Sequence, residues 1–335
     1  MRIAVTGGAG YIGSHVALEL MQAEHDVVIV DNLSNSSEVS VQRVADLAGH
    51  APAFYQTDIR DVQEIRRIFS YHSIEAVLHF AGLKAVGESV SEPLAYYDNN
   101  VNGSLQLLQV MRELGIRQFI FSSSATVYGQ QEQPPFAEHA ALGPTNPYGH
   151  SKRMVEQLLE DLCVSDPSWR VAALRYFNPA GAHPSGLIGE VPRGVPNNLM
   201  PYVLGVLTGR YEQLRVFGQD YPTPDGTGVR DYIHVMDLAS GHVAALDYLQ
   251  QHAGFNVFNL GTGCGYSVLQ VVETFEQVSG HGIPYTVLPR RPGDVAESFA
   301  VADKAWKSMS WRAERTLQSM CQDAWNFAQR NPEAY

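Results

Sequence analysis

A short apolar run that empties into a glycine-rich turn and then into a helical pattern leaves a chain few folds to choose from. Residues 3–20, "IAVTGGAGYIGSHVALEL", are such a stretch. Gly8, Gly10 and Gly13 form a G-x-G-x-x-G pattern, with Gly7 directly before it. The early glycines let the chain turn tightly and let the backbone approach a pyrophosphate with no Cβ in the way. Gly13 lets the helix pack on the strand, and the helix N-terminus offers unpaired amides to an anion. Asp31 ends the next strand-like run 18 positions beyond Gly13, near the spacing of about 20 at which a carboxylate meets the adenosine ribose. A carboxylate there repels a 2′-phosphate, which favours NAD over NADP. Two plainer readings stay open on these residues alone: an ordinary strand–helix turn, and Asp31 as the turn initiator of "DNLSN".

The pattern continues. Strand-like runs at 3–6, 27–31, 53–55, 76–80 and 118–122 alternate with helical stretches such as 13–22, 62–71 and 101–114. That alternation predicts βαβ units and a parallel sheet. A further strand at 171–175 runs into "YFNPAGAHPSG", where glycine and proline mark a break. Beyond it lie irregular turns such as "DYPTPDGTG" and a strand-like "FNVFNLG" at 255–261. The chain, 335 residues long, exceeds what one core usually absorbs. The expected architecture is α/β: a Rossmann-type doubly wound parallel sheet over residues 1–178 that binds NAD. Residues 179–335 form a smaller substrate-binding lobe, with the strand near 255–260 a candidate to return to the main sheet.

Composition narrows the partners. A formal net charge of -12 argues against nucleic acid and against a membrane surface, since both need a basic face. Any anionic ligand must be held by local arginines and backbone amides. No apolar run approaches the ~18 residues of a membrane span, and the N-terminus enters a strand directly, which predicts no signal peptide. Cys163, Cys264 and Cys321 fit no metal or redox spacing, consistent with a reduced cytoplasmic setting. His79, His150 and His234 form no ligand spacing either, so no metal is assigned. Trp306, Trp311 and Trp325 are expected to pack a core.

The chemistry lies in "TNPYGHSK", residues 145–152. Pro147 suits the first turn of a helix, and Met154, Val155, Leu158, Leu159 and Leu162 predict a buried stripe along it. Tyr148 and Lys152 are side by side at i and i+4. On spacing alone this is equally a surface pair. However, "FIFSSSATVYG" ends the fifth strand with Ser122, Ser123 and Ser124, and ligands gather at the carboxyl ends of strands in an open α/β sheet. Removing an alcohol proton while its hydride leaves needs a base near neutrality. A free tyrosine is only about 0.1% ionised at pH 7. An adjacent ammonium and an oxidised nicotinamide favour the phenolate. A shift of ~3 pKa units corresponds to about 4 kcal/mol, within reach of a buried site. Ser124 can orient the same proton, and Lys152 can reach the nicotinamide ribose.

Long stretches carry a resemblance that runs nearly end to end: "VTGGAGYIGSH", "HFAGLKAVGESV", "FSSSATVYG", "PYGHSK", "RYFNPAGAHPSG", "PNNLMPYV", "DGTGVRDYIHVMDLA" and "RPGD". The sequence resembles the extended short-chain dehydrogenase/reductase family. That resemblance implies C4 epimerisation of UDP-galactose and UDP-glucose through a transient 4-keto sugar, with NAD tightly bound. It implies Tyr148, Lys152 and Ser124 as catalytic residues. Implied NAD contacts are Tyr11, Ile12, the segment from Asp31 through Asn32 and Asn35 to Ser36, Asp58 and Ile59. Phe80, Ala81, Gly82, Lys84, Asn99, Ser124, Tyr148, Lys152 and Phe177 complete them, with Gly7, Gly10 and Gly13. Substrate contacts carry over to Ser124, Tyr148, Asn178, Asn198, Leu199, Phe217, Arg230, Arg291, Asp294 and Ser298. Arg230 and Arg291 are the local cations that a diphosphate requires in an acidic protein.

Two rivals remain. A sugar-nucleotide 4,6-dehydratase or decarboxylase uses the same scaffold, but related dehydratases place acids directly after the strand-end serine, where Ala125 and Thr126 stand here. The other is a non-enzymatic NAD-sensing or scaffold protein, which would have no need of the Tyr–Lys pair. Ser298 aligns with the family position facing the sugar C2 substituent. A small residue there leaves room for N-acetylated UDP-sugars, UDP-GlcNAc and UDP-GalNAc. Val301 and Ala302 replace the acidic residue and proline usual in the family, which leaves the local placement of Ser298 open, as is a core role for it. The stretches 101–114 and 154–163 are apolar beyond one face, and the resemblance makes paired helices of a homodimer one reading of this, burial within the subunit the other.

Overall fold

The structure, a computed structural model, describes residues 1–129, 133–192, 194–196, 198–291 and 294–334. Strand β1 (Arg2–Thr6) is buried from its second residue onward, as an uninterrupted apolar run must be when helices cover both faces of a parallel sheet. Helix α1 (Tyr11–Gln22) leads to β2 (Asp26–Asp31), α2 (Glu38–Ala48) to β3 (Ala53–Gln56), and α3 (Val62–His72) to β4 (Ala76–His79). Two short helices follow, α4 (Val86–Ser91) and α5 (Pro93–Tyr96), then a π-helical turn (Tyr97–Asn102) and α6 (Gly103–Glu113). Strand β5 (Gln118–Ser124), helix α7 (Pro147–Ser165) and strand β6 (Arg170–Tyr176) end this run.

The second part begins with β7 (Asn178–Ala180), α8 (Leu199–Leu207), β8 (Leu214–Phe217), β9 (Val229–His234) and α9 (Val235–Leu249). Strand β10 (Gly254–Leu260) then pairs in parallel with β6, so the main sheet has seven strands in the order β10-β6-β5-β4-β1-β2-β3. Every pairing in it is parallel. The order reverses between β1 and β4, and that crevice is where an open α/β sheet binds ligands. The chain closes with β11 (Gly265–Ser267), α10 (Val268–Ser279), β12 (Tyr285–Leu288), β13 (Glu297–Ser298), α11 (Asp303–Met309) and α12 (Leu317–Arg330). Strands β7, β11 and β13 all pair with β9 to make a small second sheet.

Local chemistry explains the key elements. Helix α7 starts where the Asn146 side chain accepts from the Gly149 amide, with Pro147 in the first turn. Helix α10 begins with a reciprocal capping box between Ser267 and Gln270. Val5, Leu18, Ile29 and Leu246 pack one face of the main sheet, and Phe119, Phe121, Val155 and Leu159 pack the other.

Two expectations need correction. Met154 is 46% exposed, because the sheet-facing stripe of α7 runs through Ser151, Lys152, Val155, Glu156, Leu159 and Cys163. The stripe is rotated by a residue from the purely apolar one. Trp306 is 51% exposed, whereas Trp311 and Trp325 are buried. Its ring lies under the Arg312 guanidinium instead of in a core.

Candidate active site

The glycine turn after β1 is shaped by close approach. Gly7 has φ +71, and a Cβ on it would stand 2.5 Å from the Ala81 nitrogen. A Cβ on Gly13 would stand 2.2 Å from the Gly7 carbonyl oxygen. The tight turn therefore belongs to Gly7, one place upstream of the first glycine of the expected motif, and the working spacing is 7, 10, 13. Gly10 caps α1 without a side chain, so the first-turn amides keep a clear path to an anion.

Asp31 is buried at the end of β2. Its carboxylate accepts from the Ala9 and Leu33 amides at 3.0 and 2.9 Å and from the Ser36 hydroxyl at 2.8 Å. Asn32 donates to Asp58 at 3.0 Å, and the Arg60 guanidinium holds the Asp58 carboxyl far below the usual range. Ile59 is buried beside Asp58 and Asn35 is exposed. Tyr11 donates to the Gly181 carbonyl at 2.7 Å, while half-buried Ile12 packs on the core. Phe80 and Ala81 send their amides to the Thr6 carbonyl. Gly82 faces the Asn100 amide side chain, and Asn99 is half-buried on the π-helical turn. Lys84 is paired with Glu190 at 3.0 Å, a partner no motif announced. Phe177 is buried at the end of β6. A backbone cradle that a Cβ would fill, with a fixed carboxylate at the next strand end, fits a dinucleotide.

Across the switch point, Lys152 is buried and donates to the Ser122 carbonyl at 2.7 Å. Its Nζ lies 4.9 Å from the Phe121 ring centroid and 5.9 Å from that of Tyr148. Burial pushes the ammonium down to about 8, and the Glu156 carboxylate opposes that fall. Ser124 hydrogen-bonds the Tyr148 phenol and accepts from Thr126 through both its amide and its hydroxyl. Burial nevertheless raises the Tyr148 pKa, with Ser124 and then Lys84 pulling against it. In the chain alone, desolvation dominates; the expected phenolate draws also on the positive charge of oxidised nicotinamide. Behind the pair, Thr6 donates to His79 Nδ1 (2.6 Å), His79 Nε2 donates to Ser104 (2.9 Å), and Ser104 donates to the Asn100 carbonyl (2.6 Å). His79 is thus neutral, its pKa lowered by burial to about 3.

The second lobe supplies cations. Arg230 Nη2 is 3.9 Å from Asp294, and the Arg291 guanidinium lies 3.8 Å over the Phe217 ring. Ser298 is paired in register with Arg230 across β13 and β9. Asn198 caps α8 with Leu199 as its first residue, and Asn178 opens β7. Sequence reasoning missed Asp231, whose carboxylate gathers the Thr262 amide and hydroxyl, the Gly263 amide and the Ala300 amide. It also missed Glu156, whose only sequence signal is its place eight residues after Tyr148.

A seven-stranded parallel sheet with this glycine turn and this Tyr–Lys pair defines a class. The chain belongs to the NAD dependent epimerase/dehydratase family, whose profile matches residues 3–261. It is 54% identical to the UDP-glucose 4-epimerase of Bacillus subtilis (strain 168), over 100% of this chain and 99% of the relative. Among solved structures it resembles the UDP-glucose 4-epimerase of Stenotrophomonas maltophila, with bound NAD and formylated UDP-arabinopyranose. That match has a TM-score of 0.98 and 50% identity and covers 100% of both chains. It also resembles the UDP-Glc/GlcNAc 4-epimerase of Campylobacter jejuni, with a TM-score of 0.86 and 37% identity over 98% of this chain and 99% of the other.

Proposed function

We propose that this chain is an isomerase that interconverts UDP-galactose and UDP-glucose, with NAD held throughout. The observation that carries the reading is the placement of Tyr148 and Lys152 at the carboxyl edge of β5, beside the glycine turn. The full-length similarity to UDP-glucose 4-epimerases supports it. When bound, NAD supplies a hydride acceptor at the sugar C4 and returns the hydride to the opposite face. Tyr148 takes the proton of the 4-hydroxyl and gives it back, with Ser124 orienting that hydroxyl. Lys152 supplies the positive charge beside the phenol and reaches the nicotinamide ribose. Arg230 and Arg291 hold the diphosphate while the sugar turns over, and Phe217, Asn198, Leu199 and Asp294 hold the nucleoside end. Asn178 and Ser298 border the sugar. The absence of a carboxylate at Ala125 and Thr126 weighs against dehydration.

We extend the reading in three respects. The small Ser298 leaves room for an N-acetyl group, so UDP-GalNAc and UDP-GlcNAc are also substrates. The chain works as a homodimer in the cytoplasm. Exposed Val90 and Leu94 on α4 and α5, with Met154 on α7, support the dimer. Three free cysteines support the compartment.

Incubation of purified protein with UDP-galactose and NAD should yield UDP-glucose, and Tyr148→Phe should slow turnover by roughly 10²–10⁴-fold. No product from the wild-type protein would end the proposal.

A further inference from the structure

Helix α7 meets strand β5 through three side chains spaced one turn apart. Tyr148 takes the Ser124 hydrogen bond, Lys152 donates to the Ser122 carbonyl, and Glu156 Oε1 accepts from the Ser123 hydroxyl at 2.6 Å. Glu156 is fully buried. It grips Arg175 of β6 with both oxygens, Nε to Oε1 at 2.9 Å and Nη2 to Oε2 at 2.8 Å. Arg175 is fixed in turn by the Tyr128 hydroxyl at 3.1 Å and the Glu138 carbonyl at 3.0 Å.

Such a pair is a poor way to glue a helix to a sheet. Desolvating two ions costs several kcal/mol each, and apolar side chains of equal volume hold as well or better. Its charge needs another use, and the adjacent turn of α7 supplies one. Lys152 is a buried ammonium, and among the described residues no carboxylate lies within ion-pair distance of it. Its hydrogen-bond acceptor is a neutral carbonyl.

We propose that Glu156 is a positioning residue that keeps Lys152 protonated from one helical turn away, with Ser123 and Arg175 fixing the carboxylate. The inference rests on the catalytic reading of Lys152 given above. The other titratable groups around Lys152 do not replace Glu156. His79 on β4 is neutral, since burial lowers it to about 3. Tyr176 on β6 is a phenol held neutral by burial. Tyr148 carries no charge until it has lost its proton, and Lys84 repels an ammonium. Arg175 is bound by Glu156, yet of the two partners it is the Glu156 carboxylate whose charge acts on Lys152 and opposes the loss of its proton.

The test uses NAD-loaded protein carrying 13Cε-lysine, with Lys152 titrated by NMR and the pH profile of kcat measured in parallel. In Glu156→Gln the Lys152 midpoint should fall by roughly one pH unit. The alkaline limb of kcat should fall by the same amount, while KM for UDP-galactose changes by less than about twofold. Glu156→Asp, which keeps the charge, should restore most of the profile. Glu156→Gln leaves Arg175 unpaired, so Glu156→Gln/Arg175→Gln removes both charges together. A purely structural role predicts that this double variant regains the wild-type profile; the proposal predicts that the shift persists. An unmoved Lys152 midpoint in a folded variant, a loss confined to KM, or failure of both variants to fold overturns the proposal. If the wild type does not turn over UDP-galactose, the functional reading fails, and the NMR titration still judges Glu156 separately.

Discussion

Ser298 and Arg230 sit directly opposite each other where β13 joins β9 in parallel. The residue assigned to the sugar C2 substituent is therefore a strand neighbour of the guanidinium assigned to the diphosphate. Asp231, next along β9, ties the Ala300 amide two residues past Ser298, and the Val229 amide donates to the Ala296 carbonyl just before Glu297, so β13 is held at both ends despite its length of two residues.

Ser298→Tyr should accordingly fill the space beside the sugar without moving the strand. UDP-GalNAc turnover should fall at least about tenfold, and UDP-galactose turnover should stay within about threefold of wild type. Equal losses on both substrates, measured as kcat/KM, would remove Ser298 from the specificity account.

Lys152 gives a pH signature in stability. Burial lowers its ammonium to about 8, against an unfolded value of about 10.4. Between those values the unfolded chain binds a proton that the native chain has released, so this group adds stability as pH rises. In NAD-stripped protein, the stability of wild type relative to Lys152→Met should grow by about 3 kcal/mol from about pH 7.5 to about pH 10.5. Urea denaturation at the two pH values checks it, and a difference that stays flat or shrinks refutes it.

Gly13→Ala would press a methyl group to 2.2 Å from the Gly7 carbonyl oxygen. Neither backbone can yield cheaply, so a loss of roughly 3 kcal/mol is expected. Displacing the turn should also release NAD. A variant that melts with the wild type and still carries NAD through gel filtration would contradict this.

Leu94 is 82% exposed and Val90 65%, an unusual outlay of apolar surface on neighbouring helices. Light scattering should find twice the 36.9 kDa chain mass for the wild type, and Leu94→Glu should return it to a single chain with folding intact. A wild-type protein that scatters as one chain would dispose of the dimer.

Much of this was legible because its signals are local. The glycine turn, Asp31, and the Tyr148–Lys152 spacing each depend on geometry within a few residues. Illegible features depend on what packs opposite. Glu156 looks like a solvated helix residue until Arg175 arrives from β6, and Met154 looks buried until that polar stripe takes its place. Lys84 shows no hint of Glu190, which lies 106 positions away. The G-x-G-x-x-G pattern starts at Gly8 while the implied cofactor contacts start at Gly7, and the left-handed φ of Gly7 with the approach of Ala81 tells the two adjacent glycines apart. Trp306 lies at the surface with Arg312 over its ring, a placement its apolar character does not announce.

The return of β10 to the edge of β6, with α9 lying on α1, has a consequence during synthesis. A ribosome that has delivered only the first 178 residues leaves β6 with a bare row of amides and carbonyls and α1 with an uncovered flank. Such edges recruit the wrong strands. The nucleotide-binding half becomes a finished object only once residue 260 has cleared the exit tunnel, so gene fragments that stop earlier should precipitate instead of yielding a soluble NAD-binding unit.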